Sequence, residues 1–174
     1  KALVARAFEA ACAAGHPARV SAQAMTRLAV PPTSVIAVGK AAGAMAAAVR
    51  NAGCDAPGII VTTDESLADD SLVLPSGMTV FPSAHPVPDA RGIAAGKAVM
   101  AHVDSLAADD HLLLLISGGG SALLPAPAEG MSLADKQALN EALLASGLVI
   151  HEMNVVRRLV SKLKRGRLAR RAAP

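Results

Sequence analysis

Leu112-Leu113-Leu114-Leu115-Ile116-Ser117-Gly118-Gly119-Gly120-Ser121 decides the fold, because five consecutive apolar residues run straight into a glycine loop bounded by serines. An unbroken apolar run of this length fits a strand covered on both faces, as in a parallel sheet. Its hydrophobicity predicts the central strand. The glycines permit positive φ and let backbone N–H groups approach an anion with no Cβ in the way, while the serines add hydroxyl donors. Ligands of open α/β sheets bind outside the carboxyl ends of the strands, which is where this loop falls. A tight structural turn is the competing reading. The entropy cost of ordering three consecutive glycines weighs against it.

The segments on either side repeat the pattern. Lys1 to Ala14 reads as an Ala-rich helix ended by Gly15 and Pro17. After the Pro31-Pro32 turn, Val35 to Val38 is a β-branched run, followed by Gly39-Lys40 and a helix from Ala41 to about Asn51 that sets Met45 and Val49 on one face. Gly58 to Thr63 is a second strand, Asp64 to Ser76 a polar loop, and Met78 to Phe81 a third strand. The prolines of His85-Pro86-Val87-Pro88-Asp89 exclude helix and force an extended path. Asp89 then caps a helix to about Ala107 with Ile93, Met100 and Val103 inward. Beyond the glycine loop, Ser132 and Asp135 form a capping-box pattern ahead of Leu139, Ala142 and Leu143, and a last helix begins near His151. Strands alternating with helices predict an α/β fold, a mainly parallel sheet sandwiched between helices.

A chain of 174 residues suits one domain, and 52% hydrophobic residues against 18% charged exclude disorder. With two Phe and no Trp or Tyr, the core is built from aliphatic residues, and base stacking on aromatic platforms is excluded as a binding mode. Cys12 and Cys54 have no metal-like spacing and read as reduced side chains, and no metal-ligand set is predicted. No apolar run reaches the roughly 18 residues of a membrane span, and no signal peptide is visible, so a soluble cytoplasmic protein is expected. Eight of the 17 basic residues lie between Arg157 and Arg171, which leaves nine basic against 14 acidic in the remainder. An acidic body carries a basic end. The chain starts at Lys1 without Met and stops at Pro174 after the basic segment, and both ends read as cuts in a longer polypeptide.

Four constellations are candidates for chemistry. The glycine loop is not a dinucleotide fingerprint, since Leu123 stands where G-x-G-x-x-G requires Gly. Gly39-Lys40 is not a P-loop either, since Ser34 replaces the first Gly and Ala41 the Ser or Thr that holds magnesium. Lys40 still follows a strand near a helix start, where it reaches a phosphate or carboxylate or else is simply solvated. His85 is an acid, base or hydroxyl partner and Asp89 a companion carboxylate; a loop brace and a helix cap are the structural alternatives. Asn154, Arg157, Ser161 and Lys164 follow one helical face at spacings of three and four, a surface for an anion or a solvated basic helix.

Taken in order, Gly39-Lys40-Ala41-Ala42, His85 to Asp89, Ser117 to Leu124 and Asn154…Arg157…Ser161…Lys164 resemble the class II glycerate kinases. These enzymes have a C-terminal portion called the MOFRL domain and are often named hydroxypyruvate reductases. Pro125-Ala126-Pro127 and Ala134-Asp135-Lys136-Gln137 fit the same pattern. The resemblance covers nearly the whole chain. It implies a Rossmann-like three-layer α/β/α sandwich, with residues 1–174 the N-terminal domain of a longer two-domain kinase whose C-terminal domain is absent here. It implies phosphoryl transfer from ATP with Mg²⁺ to D-glycerate, usually giving 2-phosphoglycerate, and it allows a homodimer. Lys40 matches the family's functionally important lysine, and Ser117, Gly118, Gly119, Gly120 and Ser121 its substrate- and phosphate-binding loop. Where the family usually has Lys-Gly-Gly, this chain has Lys164-Arg165-Gly166.

Two other functions compete. A hydroxypyruvate reductase using NAD(P)H needs a G-x-G-x-x-G with an acidic residue about twenty positions on, which is missing. A nucleic-acid-binding module would use Arg157 to Arg171, leaving the glycine loop and the proline segment unexplained.

Overall fold

Strands β1 (Ser34–Val38) and β2 (Gly58–Thr62) are buried along their whole lengths, because both of their faces carry aliphatic side chains that helices cover. A computed structural model describes residues 1–172; the chain end at Pro174 lies outside the described residues. With β3 (Met78–Pro82) and β4 (Leu112–Ile116) the two form a parallel sheet of order β3-β2-β1-β4. Ile36, Val38, Ile59 and Val61 point to one face, where α5 (Ala90–Asp104) lays Ala95, Val99 and Val103 against them. Val35, Ala37, Ile60 and Leu115 point to the other, against Ala42, Ala46 and Val49 of α3 (Ala42–Asn51). α2 (Pro17–Met25) packs on α3, and α9 (Arg167–Ala172) on α5. The result is the expected three-layer α/β/α sandwich.

Chain order and strand order diverge at one place. From β1 the chain moves outward through β2 and β3, then returns to lay β4 on the opposite side of β1. The loops leaving β1 and β4 therefore run to opposite faces, and the crevice between them is the topological switch point where such sheets bind ligands.

Several expectations change in the structure. β4 is an edge strand and not the central one. Leu113 and Leu115 pack toward α3, whereas Leu114 is 38% and Ile116 66% exposed. Hydrophobicity reports covered faces, not lateral neighbours, and these two side chains line a cavity instead. α5 presents Gly92, Ala95, Gly96, Val99 and Val103 inward; Ile93 and Met100 sit at the edge of that stripe, half-buried. α2 was not anticipated. It starts on Pro17, which ends one helix and opens another because a helix's first turn needs no N–H from it. The polar stretch from Asp64 contains a single helical turn, α4 (Asp64–Leu67), capped by Thr63. α1 (Ala2–Ala14) forms as expected but buries none of its residues.

The largest change is at the basic end. α8 (Ile150–Leu159) stops before Ser161, so Asn154, Arg157, Ser161 and Lys164 do not share a helical face. Backbone pairing takes over there. Ser161 bridges Pro127, Ala128 N–H donates to the Val160 carbonyl at 3.1 Å, and Lys162 N–H donates to Ala126 at 2.8 Å. Among the described residues no helix is long and apolar enough to cross a membrane.

Candidate functional site

The loops after β1 and β4 are bonded into one surface at the switch point. Ser117 N–H donates to the Val38 carbonyl at 2.9 Å, and Lys40 N–H to Gly118 at 2.9 Å. Ala41 N–H donates to Ser117 Oγ at 3.0 Å, closing the loop pair. Only glycine fits at position 39, where φ is +125° and a Cβ would stand 2.2 Å from Ser117 Oγ. Gly119 takes φ +90°, and a Cβ there would lie 3.1 Å from His85 Cδ2 and 3.3 Å from Lys40 Cγ. Its missing side chain is thus what lets Lys40 and His85 close in on the loop from two sides. A one-turn helix, α6 (Gly120–Leu123), follows. Among the described residues the N–H groups of Gly118, Gly119, Gly120 and Ser121 donate to no protein acceptor. Successive free N–H groups around a positive-φ glycine make a concave seat for an anion.

A cavity of about 760 Å³ opens beside this surface. Its lining combines Ser117, Gly119, Gly120 and Ser121 with the His85–Pro88 segment and the exposed Leu114 and Ile116 of β4. The remaining wall comes from α7 (Leu133–Ala145), α8 and the segment before α9. α7 begins with the anticipated capping box, Ser132 Oγ accepting from Asp135 N–H at 3.1 Å and the Asp135 carboxylate accepting from Ser132 N–H at 2.8 Å. Gln137 Nε2 donates to the Pro88 carbonyl at 2.8 Å and ties α7 to the proline segment.

That wall carries five cationic residues, Lys136, Arg157, Arg158, Lys164 and Arg165, of which Lys136, Arg157 and Lys164 act on one another. Lys136 on α7 is 3% exposed, yet it lines the cavity with Arg157 and Lys164. Burial lowers the Lys164 ammonium to a pKa of about 8, helped by the charges of Lys136 and Arg157. Burial, then Arg157, likewise lowers Lys136. Arg157 Nε donates to Asn140 Oδ1 at 3.2 Å, which aims the guanidinium without neutralising it. Among the described residues none of the three forms an ion pair. Glu141 is the one acidic residue in the lining.

The structure thus brings Lys40, His85, Ser117, Gly118, Gly119, Gly120 and Ser121 together at the switch point, and Arg157 and Lys164 to the cavity beside it. Asp89 and Asn154 are engaged elsewhere. Asp89 caps α5 by accepting from Gly92 N–H at 3.2 Å and pairs with Arg91 at 2.7 Å, outside the cavity lining. Burial alone would raise its pKa; the bonds from Arg91 and Gly92 outweigh that and lower it. Asn154 Oδ1 accepts from Arg157 at 3.5 Å, also outside the lining. Lys136 was missed as a site residue, although a signal existed. It lies three and seven residues before Leu139 and Leu143, on the face of α7 that packs inward.

Mg²⁺ requires an oxygen-rich shell, usually with one or two carboxylates. Among the described residues no three His, Cys, Asp or Glu side chains gather to hold a metal ion, and the cavity wall is cationic. This donor set does not fit a protein-held Mg²⁺.

Comparison with known proteins fits this geometry. Residues 3–174 match the family model described as a domain of unknown function, DUF4147. The chain is 42% identical to a protein of Agrobacterium vitis provisionally named a hydroxypyruvate reductase, over 97% of this chain and 38% of that protein. It is 39% identical to the D-glycerate 2-kinase of Thermotoga maritima, over 91% of this chain and 37% of that one. A crystal structure of a glycerate kinase from Thermotoga maritima superposes with a TM-score of 0.84 at 36% identity, over 95% of this chain and 40% of that chain. The chain therefore spans about two fifths of the length of these relatives.

Proposed function

Since this chain belongs to the DUF4147 family, the N-terminal domain of the glycerate kinase family, we propose that it supplies one side of the active site of an ATP-dependent D-glycerate kinase giving 2-phosphoglycerate. The other side of the cleft then comes from a further domain, in keeping with relatives more than twice as long. We assign the reaction to the cytoplasm.

One observation carries this reading. At the switch point the four N–H groups of Gly118 to Ser121 have no protein acceptor, and Lys40 and His85 approach the same loop at Gly119. Phosphoryl transfer asks a protein for positioning and charge neutralisation more than for covalent chemistry. In this reaction the glycerate hydroxyl oxygen forms a bond to the terminal phosphorus of ATP as the bond to the ADP oxygen breaks, and the hydroxyl proton leaves. The glycine loop and Lys40 balance charge on the transferring group. His85, beside Gly119, is placed to hydrogen-bond the hydroxyl and take its proton. Among the described residues no cluster of carboxylates offers Mg²⁺ a seat.

The nucleic-acid reading loses its continuous basic stripe, because several of the basic residues turn to separate internal partners or to the cavity. Arg167 caps the carbonyl end of α8 at Arg158 with a 2.7 Å bond, Arg171 pairs with Asp104 at 2.6 Å, and Arg157 and Lys164 face the cavity. A reductase would need a dinucleotide fingerprint, and the glycine loop after β4 carries Leu123 where the last Gly is required.

The deciding assay gives the full-length natural polypeptide ATP, Mg²⁺ and D-glycerate and follows ADP and phosphoglycerate. Both should accumulate in equal amounts, and Lys40→Ala should remove most of the turnover, about 100-fold or more for a charge that stabilises the transition state. Turnover of hydroxypyruvate with NAD(P)H and no ADP release would sink the kinase reading.

A further inference from the structure

Lys136 poses a separate problem. Lys136 is 3% exposed with no carboxylate within ion-pair distance, and what remains open of its side chain lines the cavity, an arrangement that is costly unless a ligand completes it. Its neighbours sharpen the problem, since Arg157 and Lys164 set two more cations close to it, Arg158 and Arg165 add charge farther along the same wall, and Asn140 supplies only a neutral contact. The sequence could have filled this position with leucine, as it does at Leu143 on the same helix.

We propose that Lys136, Arg157 and Lys164 form a built seat for an oxyanion of two or more negative charges, which in the reaction above is the nucleotide's polyphosphate and not the single carboxylate of glycerate. Charge balance makes the distinction. One carboxylate would leave two of three closely spaced cations uncompensated, whereas a polyphosphate neutralises the group and offers acceptors to each member. The seat belongs to different elements from the glycine loop, α7, α8 and the turn before α9, yet opens into the same cavity. A polyphosphate lying there can extend its terminal group toward Gly119 and Lys40. The assignment rests on the kinase reading for the identity of the anion, but not for the existence of the seat.

The test uses inorganic pyrophosphate as probe and D-glycerate as the carboxylate control, titrated calorimetrically into the full chain and its Lys136→Met, Lys164→Met and Arg157→Gln variants. Lys97→Met, an exposed lysine on α5, serves as the neutral comparison. Loss of a charge-assisted hydrogen bond should weaken pyrophosphate by on the order of tenfold in each of the three variants and leave glycerate unchanged. Thermal unfolding gives an independent readout. Removing a buried, unpaired charge should raise the melting temperature of ligand-free Lys136→Met by about 2–4 °C or more. A lysine with a purely structural role predicts the reverse, a lower melting temperature with pyrophosphate binding intact, and that result overturns the seat. So does wild-type protein that ignores pyrophosphate, or variants that lose glycerate instead. If Lys136→Met fails to fold, Lys164→Met and Arg157→Gln carry the same test. ADP release by the full-length natural polypeptide is measured separately, so the kinase reading and the seat can fail independently.

Discussion

Arg165 holds φ at +59°, the one non-glycine residue described with a positive φ, at the rim of the cavity. The left-handed region costs an L-residue roughly 1–2 kcal/mol, and glycine escapes that cost at the expense of a more flexible unfolded chain. Arg165→Gly is therefore expected to stabilise the chain by about 0.5–1 kcal/mol in urea unfolding while weakening pyrophosphate, because a cation leaves the rim. Strain retained at a binding surface is the usual mark of a side chain kept for its ligand. Lys164 makes a second prediction at this scale. Its folded pKa is about 8 against an ordinary 10.5. Between these values the unfolded lysine holds a proton that the folded one has released, so stability rises with pH across that window. Below it both states are protonated, and the cost of burial is present in full. The gain from pH 8 to 10.5 should approach about 3 kcal/mol as an upper bound, and the rise should flatten in Lys164→Met followed by urea midpoints. Lys40 was legible at this scale because strand, glycine and lysine are adjacent in sequence. Lys136 was not, because its importance comes from what fails to pair with it.

At the scale of elements, legibility followed the range of the interaction that ends or starts each one. The caps of α5 and α7 are bonds across three residues, Asp89 to Gly92 and Ser132 to Asp135, and both were readable. The end of α8 was not, since it is set by pairing of Val160 to Lys162 with Ala126 to Ala128, a partner far back in the chain. The α5 cap also separates two roles for Asp89. Asn caps a helix about as well as Asp, whereas Ala costs about 1 kcal/mol. Asp89→Asn should then keep both stability and the turnover of the full-length enzyme within about a factor of three, and Asp89→Ala should lower the unfolding free energy by about 1 kcal/mol. A large loss of turnover in the Asn variant, with the fold intact by circular dichroism, would return Asp89 to the chemistry. Ser132→Ala tests a cap that also supports function. It should cost about 1 kcal/mol and, by loosening the first turns of α7 around Lys136, weaken pyrophosphate as well.

For the whole molecule, the sheet links stability to function in one direction only. Each face of β1 and β2 feeds a different helix layer, so an apolar residue in either strand supports the entire sandwich, while the ligand surface sits on the loops beyond β1 and β4 and on α7, α8 and the turn before α9. This division explains why the parallel α/β architecture was readable from apolar runs while the position of β4 was not. Leu114 and Ile116 look like core in sequence, but their hydrophobicity goes into the cavity wall at the sheet edge. Ile60 tests the division directly. It is fully buried against the α3 layer and absent from the cavity lining. Ile60→Ala should cost about 2–5 kcal/mol, a large share of the 5–15 kcal/mol that holds an ordinary domain together. Circular dichroism at 222 nm and scanning calorimetry should show a single earlier transition, because both layers lose the same support. At 25 °C, with the variant still folded, pyrophosphate affinity should stay within about twofold, since the seat is built on α7, α8 and the turn before α9, none of which belongs to the cluster around Ile60. Affinity that fell in step with stability below the transition would mean that the seat is shaped by the core itself, and the separation of core from ligand surface would have to be abandoned.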